Sequence, residues 1–107
     1  MSRYTERESE LIGREAASFI AREAGPGSLI TVTRSVAAKR GELVTVFVSV
    51  FPQEKMPAAL AFLTRQRAAF SDYLKAHTRL SPLPRVIFLP DSGEQSRQRL
   101  DEISRTL

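Results

Sequence analysis

Acid–base, nucleophilic and metal chemistry all need side chains that converge, and the 107 residues of this chain supply few of the right kind. His77 is the single histidine, and the nearest acid, Asp72, lies five residues before it, a separation that need not put both on one helix face. Asp91 and Glu94 have the spacing of a helix capping box rather than of an acid–base pair. Asp101 and Glu102 read as the solvated face of a helix, not as ligands converging on a cation. No serine has a histidine or lysine that spacing places beside it. There is no glycine-rich phosphate loop of the Walker or dinucleotide type. Cysteine is absent, which removes disulfides and thiolate ligands. The expectation is a protein without catalytic residues, metal, cofactor or small-molecule substrate: a binder, not an enzyme.

What the chain does carry is unevenly placed positive charge. Residues 25–90 hold nine cations (Arg34, Lys39, Arg40, Lys55, Arg65, Arg67, Lys75, Arg79 and Arg85) against Glu42, Glu54 and Asp72, a net +6. Each flanking segment, 1–24 and 91–107, comes to −1, and the whole chain to +4. A basic middle between nearly neutral ends suits a polyanionic partner, and nucleic acid is the common one.

Those cations must be positioned by a small set of elements. Thr5-Glu6-Arg7-Glu8 reads as a capping box for a first helix. Its apolar stripe runs Leu11, Ile12, Ala16, Phe19, Ile20 and Ala24, and Gly25-Pro26-Gly27 stops it. Two β-branched runs follow, Leu29 to Arg34 and Leu43 to Phe51, joined by 36–42 with Lys39-Arg40-Gly41 at the tip. In the second run Val44, Val46, Val48 and Val50 point one way, toward a helix layer. Leu43, Thr45, Phe47, Ser49 and Phe51 point the other, a mixed face partly open to water. Phe47 and Phe51 on that face are candidates for base stacking, although packing is the commoner role of a sheet aromatic.

Pro57 suits the first turn of a further helix, in which Leu60, Leu63, Arg67, Phe70 and Leu74 fall at helical spacing. Arg67 is a charge in an apolar stripe. Either the helix breaks near it and the stripe re-phases, or its head snorkels to water along the stem. No Gly or Pro lies between Ala58 and Ser81, so local sequence does not demand a break. Pro82 and Pro84 end the stretch. Val86 to Leu89 reads as a short strand closed by Pro90, and Leu100, Ile103 and Leu107 mark a last helix. Three strands under two or three helices predict an α+β two-layer sandwich, one domain over 1–107 with ends that fray at 1–4 and 104–107. The opening residues lack the apolar core of a secretory signal, and no stretch is apolar and long enough to span a bilayer, so a cytoplasmic, membrane-free protein is expected.

Taken together, Leu29-Ile30-Thr31-Val32-Thr33-Arg34 and Val44-Thr45-Val46-Phe47-Val48-Ser49-Val50 resemble the strand pair of the ribosome-binding factor A family. The run Pro84-Arg85-Val86-Ile87-Phe88-Leu89-Pro90-Asp91-Ser92-Gly93-Glu94 resembles that family's P-x-L-x-F-x-x-D-x-S/G-x-E ending. Order and lengths of elements agree over about residues 5–105. The resemblance implies a type II KH-like domain, α-β-β-α(-kink-α)-β plus a C-terminal helix. It also implies a cofactor-free partner of the immature small (30S) ribosomal subunit that supports maturation of its 16S ribosomal RNA; a monomer is expected. In that family a helix–kink–helix with an Ala-x-Gly signature replaces the glycine loop of ordinary KH domains. The positions here are Gln66-Arg67-Ala68, so both signature residues differ. A family V-S-x-D-L pattern falls on Ala37 to Gly41, where Arg40 replaces an acid. Combining charge and resemblance, the expected RNA-binding residues are Arg34, Lys39, Arg40, Arg65, Arg67, Ala68, Lys75, Arg79 and Arg85. The competing expectation is a protein-interaction or dimerisation module using a strand edge or the mixed sheet face.

Overall fold

The computed structural model describes residues 2–91. Helix α1 (Ser2–Glu23) is followed by β1 (Leu29–Ala38), a tight turn over Lys39–Gly41, and β2 (Leu43–Phe51). Helices α2 (Met56–Arg65) and α3 (Arg67–His77) then lead to β3 (Arg85–Pro90). The sheet order is β1-β2-β3, with β2 antiparallel to β1 and parallel to β3. A parallel pair needs a long crossover, and α2 and α3 supply it. The result is the expected α+β two-layer sandwich with three strands.

The core lies between the valine face of β2 and the helices. Val44, Val46, Val48 and Val50 are buried, as are Ile12, Ala16, Phe19 and Ile20 of α1. Leu63 of α2, Phe70 and Leu74 of α3 and Phe88 of β3 complete the cluster. Phe70 sits among aromatics, its ring centroid 5.2 Å from that of Phe19 and 6.0 Å from that of Phe88. Helix α1 lies close against β1 at Gly13, where a Cβ would come within 2.7 Å of the Ser35 Oγ. That hydroxyl donates to the Ser9 carbonyl at 2.6 Å.

Four expectations are corrected. Helix α1 begins at Ser2, so Thr5 lies inside the helix instead of capping it; nothing in residues 2–4 breaks a helix. Strand β1 runs on to Ala38, because Ala37 and Ala38 pair with Val44 and Leu43 and only 39–42 remain as the connection. The helical stretch ends at His77, ahead of Pro82: Thr78 turns extended, and its hydroxyl donates back to the Leu74 carbonyl at 2.7 Å. Finally, Phe47 is not an open stacking surface. It is 3% exposed, and the Arg34 guanidinium lies 4.2 Å from its ring centroid.

A bulge explains that last arrangement. The β1–β2 register shifts between Val32 and Arg34, leaving Thr33 as the extra residue. Ile30 and Val32 stand opposite Val50 and Val48 on the helix side, but Arg34 stands opposite Phe47 on the other. Without the extra residue, strict alternation would turn Arg34 into the core. From its outer position Arg34 reaches Asp91, Nε to Oδ2 3.5 Å, beyond the end of β3. The Thr33 hydroxyl donates to the same carboxylate at 2.5 Å. The cap read at Asp91 and Glu94 and the last helix lie outside the described residues.

Candidate nucleic-acid interface

The helical stretch from Met56 to His77 is broken at one residue. Gln66 has φ −89° and ψ 4°, the bridge region between helical and extended backbone. Its N–H is shared between the carbonyls of Phe62 (3.0 Å) and Leu63 (3.1 Å), and its own carbonyl takes the N–H of Phe70 at 2.8 Å. In a straight helix Leu63, Arg67, Phe70 and Leu74 would share one stripe. With the break, Leu63, Phe70 and Leu74 are buried while Arg67 is exposed. The alternative would strand a guanidinium in the core at a cost of several kcal/mol. The break therefore resolves the two possibilities for Arg67 without Gly, Pro or positive φ.

Beside the break lies an open cleft of about 390 Å³ between the start of α3 and the segment entering β3. Arg67, Ala68 and Ser71 line one wall; Leu83, Pro84 and Arg85 line the other, and among the described residues no carboxylate lines it. Among the described residues neither Arg67 nor Arg85 is held by an ion pair. Both arginines are exposed. Helix α3 has no side-chain cap at its N-terminus.

The hairpin tip belongs to the same end of the sheet. Leu43 stands opposite Arg85 in the parallel ladder, and the Arg85 N–H donates to the Glu42 carbonyl at 2.9 Å. Arg40 at the tip is exposed and left-handed, φ 58° and ψ 32°, followed by Gly41 at φ 86°. A left-handed non-glycine costs about 1 kcal/mol, so this basic tip is held at some expense.

An α-β-β-α-α-β chain with a one-residue break and a basic cleft beside it is the geometry to compare with known proteins. No protein-family model and no curated protein matches the chain. Solved structures do. The crystal structure of ribosome-binding factor A from Thermus thermophilus superposes with a TM-score of 0.69 at 29% identity, covering 78% of this chain and 91% of that one. A homology model of the Thermus thermophilus factor, fitted into a cryo-EM map of its complex with the 30S subunit, matches at 0.69 and 29%, covering 79% and 92%. The chain is similar to ribosome-binding factor A in fold and, at 29% identity, in sequence. A solution structure of a Thermotoga maritima protein provisionally assigned to the same group shares the fold, with a TM-score of 0.65 at 20% identity over 82% and 88% of the two chains.

Within this ribosome-binding factor A-like fold the nine expected residues separate into groups. Arg67, Ala68 and Arg85 meet in the cleft, and Arg40 on the tip is tied to Arg85 through Glu42 and Leu43. Lys39 opens the tip turn. Lys75 is exposed and lies seven residues beyond Ala68, on the same stripe of α3 about two turns away. Arg65 is exposed at the end of α2, and Arg79 is exposed in the segment between α3 and β3. Arg34 is set apart: its guanidinium is engaged by Phe47 and Asp91 on the outer sheet face. Sequence reasoning missed Ser71 and Pro84 as cleft residues. Ser71 was accessible to it, one turn from Arg67; Pro84 was not, because only the tertiary fold brings the β3 entry against α3.

Proposed function

We propose that this chain binds the small ribosomal subunit in the cytoplasm and supports its assembly and the maturation of 16S ribosomal RNA, as a monomer, without cofactor or catalysis. The likeness to the Thermus thermophilus factor, whose homology model was fitted into a 30S complex, supports the partner. The observation that carries the mode of binding is the cleft with Arg67 and Arg85 on facing walls, neither of them in an ion pair among the described residues. Guanidinium forks pair with phosphate oxygens in bidentate geometry, and backbone contact of this kind reads shape rather than sequence. Lys39, Arg40, Arg65, Lys75 and Arg79 are the further cations offered to the RNA backbone under this reading.

Sedimentation of tagged protein through a gradient of cell extract tests this. The protein is expected with free small subunits and released by salt; with about five phosphates contacted, log affinity falls against log salt with a slope near −3.5. Migration away from the small subunit at low salt, or binding indifferent to salt, would overturn it. A second reading, a protein-interaction module, draws on the facing pair Leu29 and Phe51, 66% and 74% exposed at the far end of the hairpin. Under that reading the chain stays with a protein partner after the RNA is digested.

A further inference from the structure

We propose that the exposed imidazole of His77 is a stacking platform for an unpaired nucleobase, a second point of contact that rests on the RNA-binding reading above. Tyr73 and His77 are one turn apart on α3, so their side chains meet. Their ring centroids are 3.9 Å apart with planes inclined by 22°, a stacked pair. Tyr73 is in turn anchored to the core by Phe19, whose ring meets it edge-on at 5.4 Å, and the Arg22 guanidinium lies 5.7 Å from its centroid. The outermost member of this column is the imidazole.

That ring is held in one orientation. His77 Nδ1 lies 2.9 Å from the Tyr73 carbonyl oxygen, and a carbonyl only accepts, so Nδ1 carries the proton and donates. Tyr73 covers one ring face and His77 is exposed, so among the described residues the opposite face is the one that can take a base. A flat, pre-oriented ring stacks a base with little further loss of side-chain freedom. Bases displaced from helices are recognised by stacking on aromatic side chains, histidine among them, whereas a continuous duplex presents no free base face. Arg79, exposed two residues beyond, and Arg22 stand ready for the flanking phosphates.

This platform is separate from the cleft. Arg67 and His77 are the first and last residues of α3, about 15 Å apart along the axis. The Tyr73–His77 pair lies on the flank of α3 facing α1, whereas Arg67 and Ser71 face the β3 entry. RNA using both would carry an unpaired nucleotide beside a structured stretch.

The test uses the full chain and a stem–loop RNA with 2-aminopurine in its loop, alongside the same strand fully paired. His77→Gln keeps a donor for the Tyr73 carbonyl and removes the ring; His77→Phe keeps the ring and removes the donor. Circular dichroism checks that both are folded. The unsubstituted protein and His77→Phe are expected to change the probe's fluorescence and bind alike. His77→Gln loses the fluorescence change and binds the stem–loop at least about fivefold more weakly. Its salt slope is unaltered, and its affinity for the paired RNA is unchanged. Full binding and fluorescence response by His77→Gln, or equal losses in both variants, would overturn the platform. If reversing charge at Arg67 and Arg85 abolishes binding in the same assay, the RNA reading survives that failure; if the unsubstituted protein binds neither RNA, both fall.

Discussion

The backbone N–H of Arg85 donates to the carbonyl of Glu42 across 2.9 Å, fastening the entry of β3 to the foot of the β1–β2 turn. Through that bond two chain segments more than forty residues apart present cations at one end of the sheet. Arg85 faces Arg67 across the cleft, and Arg40 stands on the neighbouring tip. Convergence of this kind is what a phosphate backbone requires.

Reversing both cleft charges, Arg67→Glu with Arg85→Glu, should weaken RNA binding at least tenfold and make the salt slope shallower by about 1.4, two contacts at roughly 0.7 each. The loss should be equal for RNAs of different sequence, since phosphate contacts carry no base information. Filter binding across a salt series reads both quantities, and a change in sequence preference would count against the assignment.

Arg40 should show opposite effects on stability and binding. Its φ of 58° is costly for arginine and well tolerated by asparagine. Arg40→Asn is expected to raise unfolding free energy by about 0.5–1 kcal/mol in urea titration while weakening RNA binding. Unchanged binding would remove the tip from the interface.

Ala68→Gly, which restores a glycine to the helix break, should not improve the fold. Gln66 makes the break at negative φ, and Ala68 already sits in the first turn of α3. The substitution is expected to lower stability by roughly 0.5–1 kcal/mol through backbone entropy. Equilibrium unfolding measures it; a gain in stability would mean that the break wants a glycine after all.

Gly13 and Ser35 should be energetically coupled. A Cβ at residue 13 would press on the Ser35 Oγ at 2.7 Å. Gly13→Ala should therefore destabilise by about 1–3 kcal/mol despite alanine's better helix propensity. In a Ser35→Ala background the penalty should shrink, because the crowded oxygen is gone. A double-mutant cycle with no coupling would show that residue 13 and the Ser35 hydroxyl do not crowd each other.

Much of this protein could be read along the chain. The period-2 valines of β2 determined which sheet face is buried, because successive side chains alternate. Gly25-Pro26-Gly27 determined where α1 stops, and the run of cations from 34 to 85 determined what kind of partner to expect. Those are local or compositional properties, available without coordinates. The helix break was only half legible: Arg67 in an apolar stripe flagged a conflict, but choosing between a break and a snorkelling side chain needed the packing of Leu63 and Phe70 against the sheet.

Arg34 shows where local inference fails. By alternation with Ile30 and Val32 it belongs in the core, and by charge it belongs at the RNA. The bulge at Thr33 turns it to the outer face, where it covers Phe47 and pairs with Asp91, 57 residues away. Likewise, nothing near Arg85 in the chain announces that it faces Arg67. Which residues alternate, cap or carry charge is written in neighbouring positions. Which cations share a cleft depends on strand register and crossover, and these are chosen by the burial of the whole core at once.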